Sequence, residues 1–139
     1  MTELPINSPN TFGAANTNAG AEEMTIIDML ADAPSPQPGR PRPAVQRLAQ
    51  ADGVNVIAFN FAPGQDLPDH KAAHPITVQC LSGSLDFTCE DKTVHLRPGM
   101  VLHLPAYLPH RVDCPERTAP PTDNILLLMM HTGEVPNKH

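Results

Sequence analysis

Three histidines stand at the edges of short apolar runs in the second half of the chain. His70 and His74 lie in APGQDLPDHKAAHPITVQCLSG (62–83), and His110 lies in RPGMVLHLPAYLPHRVDC (97–114). An imidazole nitrogen can donate or accept a hydrogen bond, or ligate a divalent ion. Each segment has a Pro-Gly turn and an apolar run too short and too β-branched for a helix. Two imidazole-bearing strands tied by one hairpin can aim nitrogens at a common point inside a small β-barrel. Spacing limits which histidines meet. Ligands of one first-row ion each sit about 2 Å from it, whereas His70 and His74, four residues apart, are separated by ~13 Å along an extended strand. Pro75 turns His74 away from the helical region, so only a bend at Lys71–Ala73 brings the two together. Further on, Ile76, Val78 and Cys80 alternate as one apolar face. If that face looks inward, Cys80 lines the interior and Gln79 points away from it. His95, His103 and His131 sit within strands and read as structural.

Other chemistries lack their residues. No Ser stands in a GxSxG context and no glycine-rich phosphate loop is present. Glu22-Glu23 and Glu90-Asp91 read as solvated helix-start and turn residues. The 139-residue chain has a formal net charge of −6 and no basic cluster, which argues against nucleic acid and anionic membrane surfaces as partners. No apolar run approaches a membrane span of about 20 residues, and the N-terminus has no signal-peptide pattern. Three cysteines without CxxC spacing point to the cytoplasm rather than to a disulfide framework.

The elements that must position the histidines are strands. With 17 prolines and no tryptophan, the chain is dense in helix-breaking punctuation. Residues 1–20 carry no periodic apolar pattern and are expected to lie against the barrel or a neighbouring subunit. Residues 21–33 are expected to form one short amphipathic helix, followed by a Pro-rich linker (34–43). The runs 44–50 and 54–61 flank Ala51-Asp52-Gly53 as a hairpin, with Ile57, Phe59 and Phe61 on one face. Further strands are expected over 75–81, 84–90, 93–96, 100–105, 110–114 and 124–132, the last buried on both faces. LPDH (67–70) reads as a turn ending in His70, and 115–123 as a polar loop. Eight or so short strands at regular spacing mean a sandwich or barrel. The chain thus divides into an extension (1–43), a barrel (44–135) and a tail (136–139).

From about Ala44 to Thr132 the sequence resembles the small single-domain cupins, proteins built as a double-stranded β-helix, the jelly-roll barrel. The second cupin motif is Gly, five residues, Pro, one residue, Gly, two residues, His, three residues, Asn. Gly99, Pro105 and His110 fit it, with Tyr107 in place of the second Gly and Cys114 in place of the Asn. The first motif is Gly, five residues, His-x-His, three or four residues, Glu, six residues, Gly. Gly64, His70 and Gly83 fit, but Ala72 stands at the second His and Ile76 or Thr77 at the Glu.

The resemblance implies an all-β jelly roll with one short N-terminal helix, and a homodimer paired through sheet faces or an exchanged N-terminal strand. It implies a divalent transition metal (Fe, Mn, Ni or Zn) held by His70, His110 and His74. Such an ion would activate dioxygen or polarise a carbonyl or enediol of a small organic substrate, as in a metal-dependent oxidoreductase or isomerase. The alternative is a non-catalytic module that holds a small ligand without metal in an apolar interior of Phe59, Val78, Phe87, Leu102, Leu127 and Met129.

Overall fold

From Ala44 onward each alternating run becomes a strand that buries one side, because a strand's side chains point to opposite faces with a period of two. The computed structural model describes residues 3–20, 23–116 and 123–133. In chain order the elements are β1 (Ile6–Asn7), a 3₁₀ turn (Pro9–Phe12), β2 (Thr17–Asn18), α1 (Met29–Asp32), β3 (Ala44–Ala51), β4 (Val54–Asn60), β5 (Asp66–Ala72), β6 (Ile76–Ser82), β7 (Leu85–Cys89), β8 (Lys92–Leu96), β9 (Val101–Leu104), β10 (His110–Asp113) and β11 (Ile125–His131). One sheet has the order β1-β5-β10-β7-β8 and the other β2-β3-β4-β11-β6-β9. Ile57, Phe59 and Phe61 of β4 pack with Ile76, Val78 and Cys80 of β6, Leu85 and Phe87 of β7, and Leu126, Leu128 and Met130 of β11. The fold is an all-β jelly roll. Among the described residues no helix is long and apolar enough to cross a membrane.

The β3–β4 hairpin forms at Asp52-Gly53 as its sequence predicts, with Gly53 at φ +81°. Three expectations are corrected. The helix is one turn, capped by the Asp28 carboxylate accepting from the Ala31 amide. The β-branched Thr25-Ile26-Ile27 before it lose rotamer freedom in a helix, and Met24 and Ile26 are exposed, so no packing offsets nucleation. Residues 66–72 form a strand rather than a turn. Pro68, which has no N–H to give, sits where the β5–β10 ladder bulges: His70 pairs with His110 but Leu67 with Val112. Third, Leu127 and Met129 lie on the outer face of β11, while Leu126, Leu128 and Met130 enter the core. An unbroken apolar run has no alternation to tell its two sides apart. Residues 1–20 take one of the two places expected for them, against the barrel, where β1 joins one sheet beside β5 and β2 the other beside β3. The 117–122 part of the expected loop, the helix residues 21–22 and the tail 136–139 lie outside the described residues.

One end of the barrel is closed by a buried amide. Asn124 is 0 % exposed; its Nδ2 donates to the Phe61 carbonyl and its Oδ1 accepts from the Ser84 amide. A Cβ on Gly83, which sits at φ +74°, would collide with that Oδ1. Gly83→Ala is therefore expected to cost about 2 kcal/mol or more, combining a strained backbone with a displaced buried hydrogen bond. Urea unfolding should show a lower midpoint with an unchanged slope.

Candidate functional site

The β5–β10 ladder sets His70 directly opposite His110, so both imidazoles leave the same face of the sheet. Their ring centroids are 4.2 Å apart in an edge-to-face arrangement. Both residues are buried, at 8 % and 4 % exposure. Each ring is held by its own strand. His70 Nδ1 lies 2.7 Å from the Pro68 carbonyl oxygen and His110 Nδ1 lies 2.9 Å from that of Leu108. A carbonyl only accepts, so Nδ1 carries the proton in both rings and each Nε2 keeps its lone pair. Among the described residues neither Nε2 has a hydrogen-bond partner, and no sealed polar side-chain atom lacks one. Both Nε2 atoms therefore still touch free space.

The two histidines line one cavity of about 10 Å³, with Phe59, Ala72, Ile76 and Phe87 among its walls. It has room for about one water molecule. Phe87 stacks on the His110 ring, with centroids 5.3 Å apart and planes 9° from parallel. The same Phe87 walls the cavity off from an open cleft beyond it, which runs along Val94, Leu102 and Leu104. The remaining wall comes from the N-terminal extension, in Asn7 and Phe12, and Phe12 meets Phe59 edge-on at 5.6 Å. Nothing in the sequence marks Phe12 as a cavity residue. It is a lone aromatic in a polar segment, and only the β1–β5 pairing carries it to the barrel mouth.

The other candidates lie elsewhere. His74 is half-buried in the bend between β5 and β6 and does not line the cavity. Gln79 sits opposite Leu127 and Val101 on the outer face of β6. Cys80 is fully buried in the core, its thiol donating to the Ser82 carbonyl, and is not a cavity wall. Ala72 and Ile76 occupy the wall where the resemblance expects a second histidine and a glutamate. Thr77, the other position considered for that glutamate, faces outward, its hydroxyl 2.9 Å from His103 Nδ1 and 2.8 Å from His131 Nε2. His95 pairs with Asp86 on the surface. Tyr107, at the position of the motif's second glycine, takes φ +66°, and its amide donates to the Ala72 carbonyl, pinning the loop before β10 onto β5.

The donor set decides what the site can hold. Catalytic first-row ions are usually held by three protein ligands. Here the two imidazoles share walls that are apolar except for Asn7, and no group of three or more His, Cys, Asp or Glu able to hold an ion occurs among the described residues. The residues present do not complete a site for such an ion. What they do offer is two neutral hydrogen-bond acceptors in an apolar enclosure.

Comparison with known proteins agrees with the fold and the motifs. Residues 58–120 match the family profile of the cupin domain. An RmlC-like cupin protein of Desulfovibrio desulfuricans superposes with a TM-score of 0.65 at 21% identity, covering 81% of this chain and 100% of the other. A protein of Thermus thermophilus gives 0.64 at 23% identity, covering 80% and 100%. The DMSP lyase DddQ of Ruegeria pomeroyi gives 0.57 at 19% identity, covering 70% and 50%. No curated protein matches the sequence. The chain shares the jelly-roll fold of these cupins, and its match to the cupin domain spans residues 58–120.

Burial pushes His70 below the ordinary histidine value of 6.5, against the opposing pull of the Pro68 carbonyl and the Asp69 charge. Burial, then the neighbouring His70, push His110 down to about 4. Both rings are neutral at pH 7. A histidine whose folded value is depressed stabilises the fold fully above the unfolded value and loses that contribution as pH falls toward the folded one. Stability is thus expected to be flat above about pH 7 and to drop between about 6.5 and 4, with His110 accounting for roughly 3 kcal/mol. Urea midpoints measured across that window should show the drop, and His110→Leu should flatten most of it.

Proposed function

We propose that this chain handles a small organic molecule, using the His70–His110 pair as its polar anchor. The observation that carries the reading is the fixed tautomer, with both Nδ1–H groups given to backbone carbonyls and two unpartnered Nε2 atoms at one apolar cavity. A neutral imidazole pair accepts hydrogen bonds, so the molecule presents a hydroxyl or N–H and otherwise fits among Phe59, Ile76 and Phe87. A His110 value of about 4 makes that ring a weak proton acceptor. The pair therefore binds and orients rather than deprotonates, which favours the non-catalytic binding module.

A metal-dependent oxidoreductase or isomerase is the second reading, and one observation favours it. Ligating imidazoles also give their other N–H to a carbonyl. Metal analysis of untagged protein separates the two. The binding reading expects transition metal well below one equivalent, unchanged in His70→Ala and His110→Ala. Near-stoichiometric metal lost in both variants would establish the ion reading instead.

A second copy of the chain is the proposed protein partner. Met24, Ile26 and Leu30 stand 86 %, 82 % and 61 % exposed in one short stretch, an apolar run with no cover among the described residues. Ile26→Asp should shift sedimentation toward a monomer without lowering the urea slope. A wild-type chain that sediments as a monomer at micromolar concentration removes this partner.

A further inference from the structure

The cavity beside the histidines is too small for any organic molecule, and what makes it small is a removable part of the chain. Phe12 belongs to the 3₁₀ turn Pro9–Phe12, which buries none of its residues. On one side the turn is anchored by β1, where the Lys71 amide donates to the Pro5 carbonyl and the Ala73 amide to that of Asn7. On the other side it is anchored at Gly13, whose carbonyl accepts from Arg47 Nη1, and at Asn16, whose amide donates to the Arg47 carbonyl. Arg47 is itself buried and bonded to Asn55 and Gln50, so that anchor is fixed. Between the anchors the turn is held by its internal Ser8–Thr11 bonds, by one long hydrogen bond of 3.5 Å from Arg47 Nη1 to Asn10 Oδ1 and by the Phe12 ring. A segment with few buried contacts opens at low cost.

Gly13 supplies the hinge. Its backbone stands at φ +85°, ψ −168°, a region that only glycine occupies readily, and nothing lies within 4 Å of where a Cβ would be. The closed turn therefore depends on that residue's conformational freedom together with its two backbone bonds, the carbonyl accepting from Arg47 and the amide donating to the Asn10 carbonyl, and a Cβ would disturb only the conformational freedom.

We infer that residues 8–12 form a flap whose Phe12 ring fills the place of the ligand, and that this ligand is a small aromatic or similarly shaped apolar molecule bearing a hydroxyl. Its ring takes the space against Phe59 that Phe12 vacates, and its hydroxyl donates to an Nε2 of the His70–His110 pair. This rests on the binding role proposed for that pair and adds the ligand's shape and the gate that admits it. Binding requires the open flap, so the apparent affinity scales with the open fraction.

Phenol is the probe and toluene its control, since the two differ by the hydroxyl. Titrations at pH 7.5 follow the histidine Cε1–H resonances of the full chain. Three forms are compared: wild type, Phe12→Ala and Gly13→Ala. Phe12→Ala empties the place directly. Gly13→Ala removes no atom from the cavity and only strains the closed turn, so it reports on the flap and not on an engineered void. The expected order of phenol affinity is Phe12→Ala, then Gly13→Ala, then wild type, with Gly13→Ala at least about five-fold tighter than wild type. Toluene should bind about ten-fold more weakly or worse in each form. A Gly13→Ala protein no tighter than wild type overturns the flap. Toluene equal to phenol overturns the hydroxyl requirement. A folded Phe12→Ala protein that takes up no phenol overturns the binding role itself, an outcome distinct from the other two.

Discussion

The constraint on which the site depends is the register of β5 against β10. It places His70 opposite His110, and the bulge beside Pro68 makes that register possible without asking proline for a hydrogen bond it lacks. The carbonyls of Pro68 and Leu108, each two residues before its histidine, accept the imidazole protons and fix both rings. A slip of one residue would send one ring to the opposite face of the sheet. On the outer side the same two strands are tied by Arg111, which reaches Asp66 across the pair and Asp113 along its own strand. Those ion pairs are about a third exposed and contribute little stability by themselves. Their use is positional, since they join the strands where the bulge has interrupted the ladder.

What surrounds the pair explains its electrostatics. In a cavity with Ala72, Ile76, Phe59 and Phe87 among its walls, burial outweighs every influence that favours protonation, the Asp69 charge at His70 included. The Ala and Ile that interrupt the first cupin motif therefore do more than delete ligands. They set apolar surface beside the rings, which favours the neutral imidazole over the charged one. Phe87 extends the effect by covering one face of the His110 ring.

Much of this was legible in the sequence, for reasons that differ by element. The β3–β4 hairpin was readable because Asp-Gly sits between two alternating runs, and the inward face of β6 because Ile76, Val78 and Cys80 alternate cleanly. The pairing of His70 with His110 followed from motif spacing. Strand β5 was hidden by Pro68, a residue that argues against strand unless a bulge receives it. The inner side of β11 was hidden because every residue in its run is apolar except the last, so burial could not be inferred from contrast. Phe12 was hidden for a third reason: its contact with the barrel spans some fifty residues and has no local signature. His74 was left open by the sequence, since Pro75 argued against its meeting His70 but a bend at Lys71–Ala73 allowed it; it sits in the bend before β6 and does not line the cavity.

The buried Asn124 gives the barrel a polarity that its strand list conceals. Its amide clamps the β6–β7 turn and the end of β4 at one end of the structure, while the histidines and the short N-terminal turn lie toward the Ile76 and Met130 end. The two ends of the barrel are accordingly unlike, one cross-linked by a side-chain amide and the other lined by imidazoles, so a change at Asn124 and a change at His110 act on opposite poles of the same core.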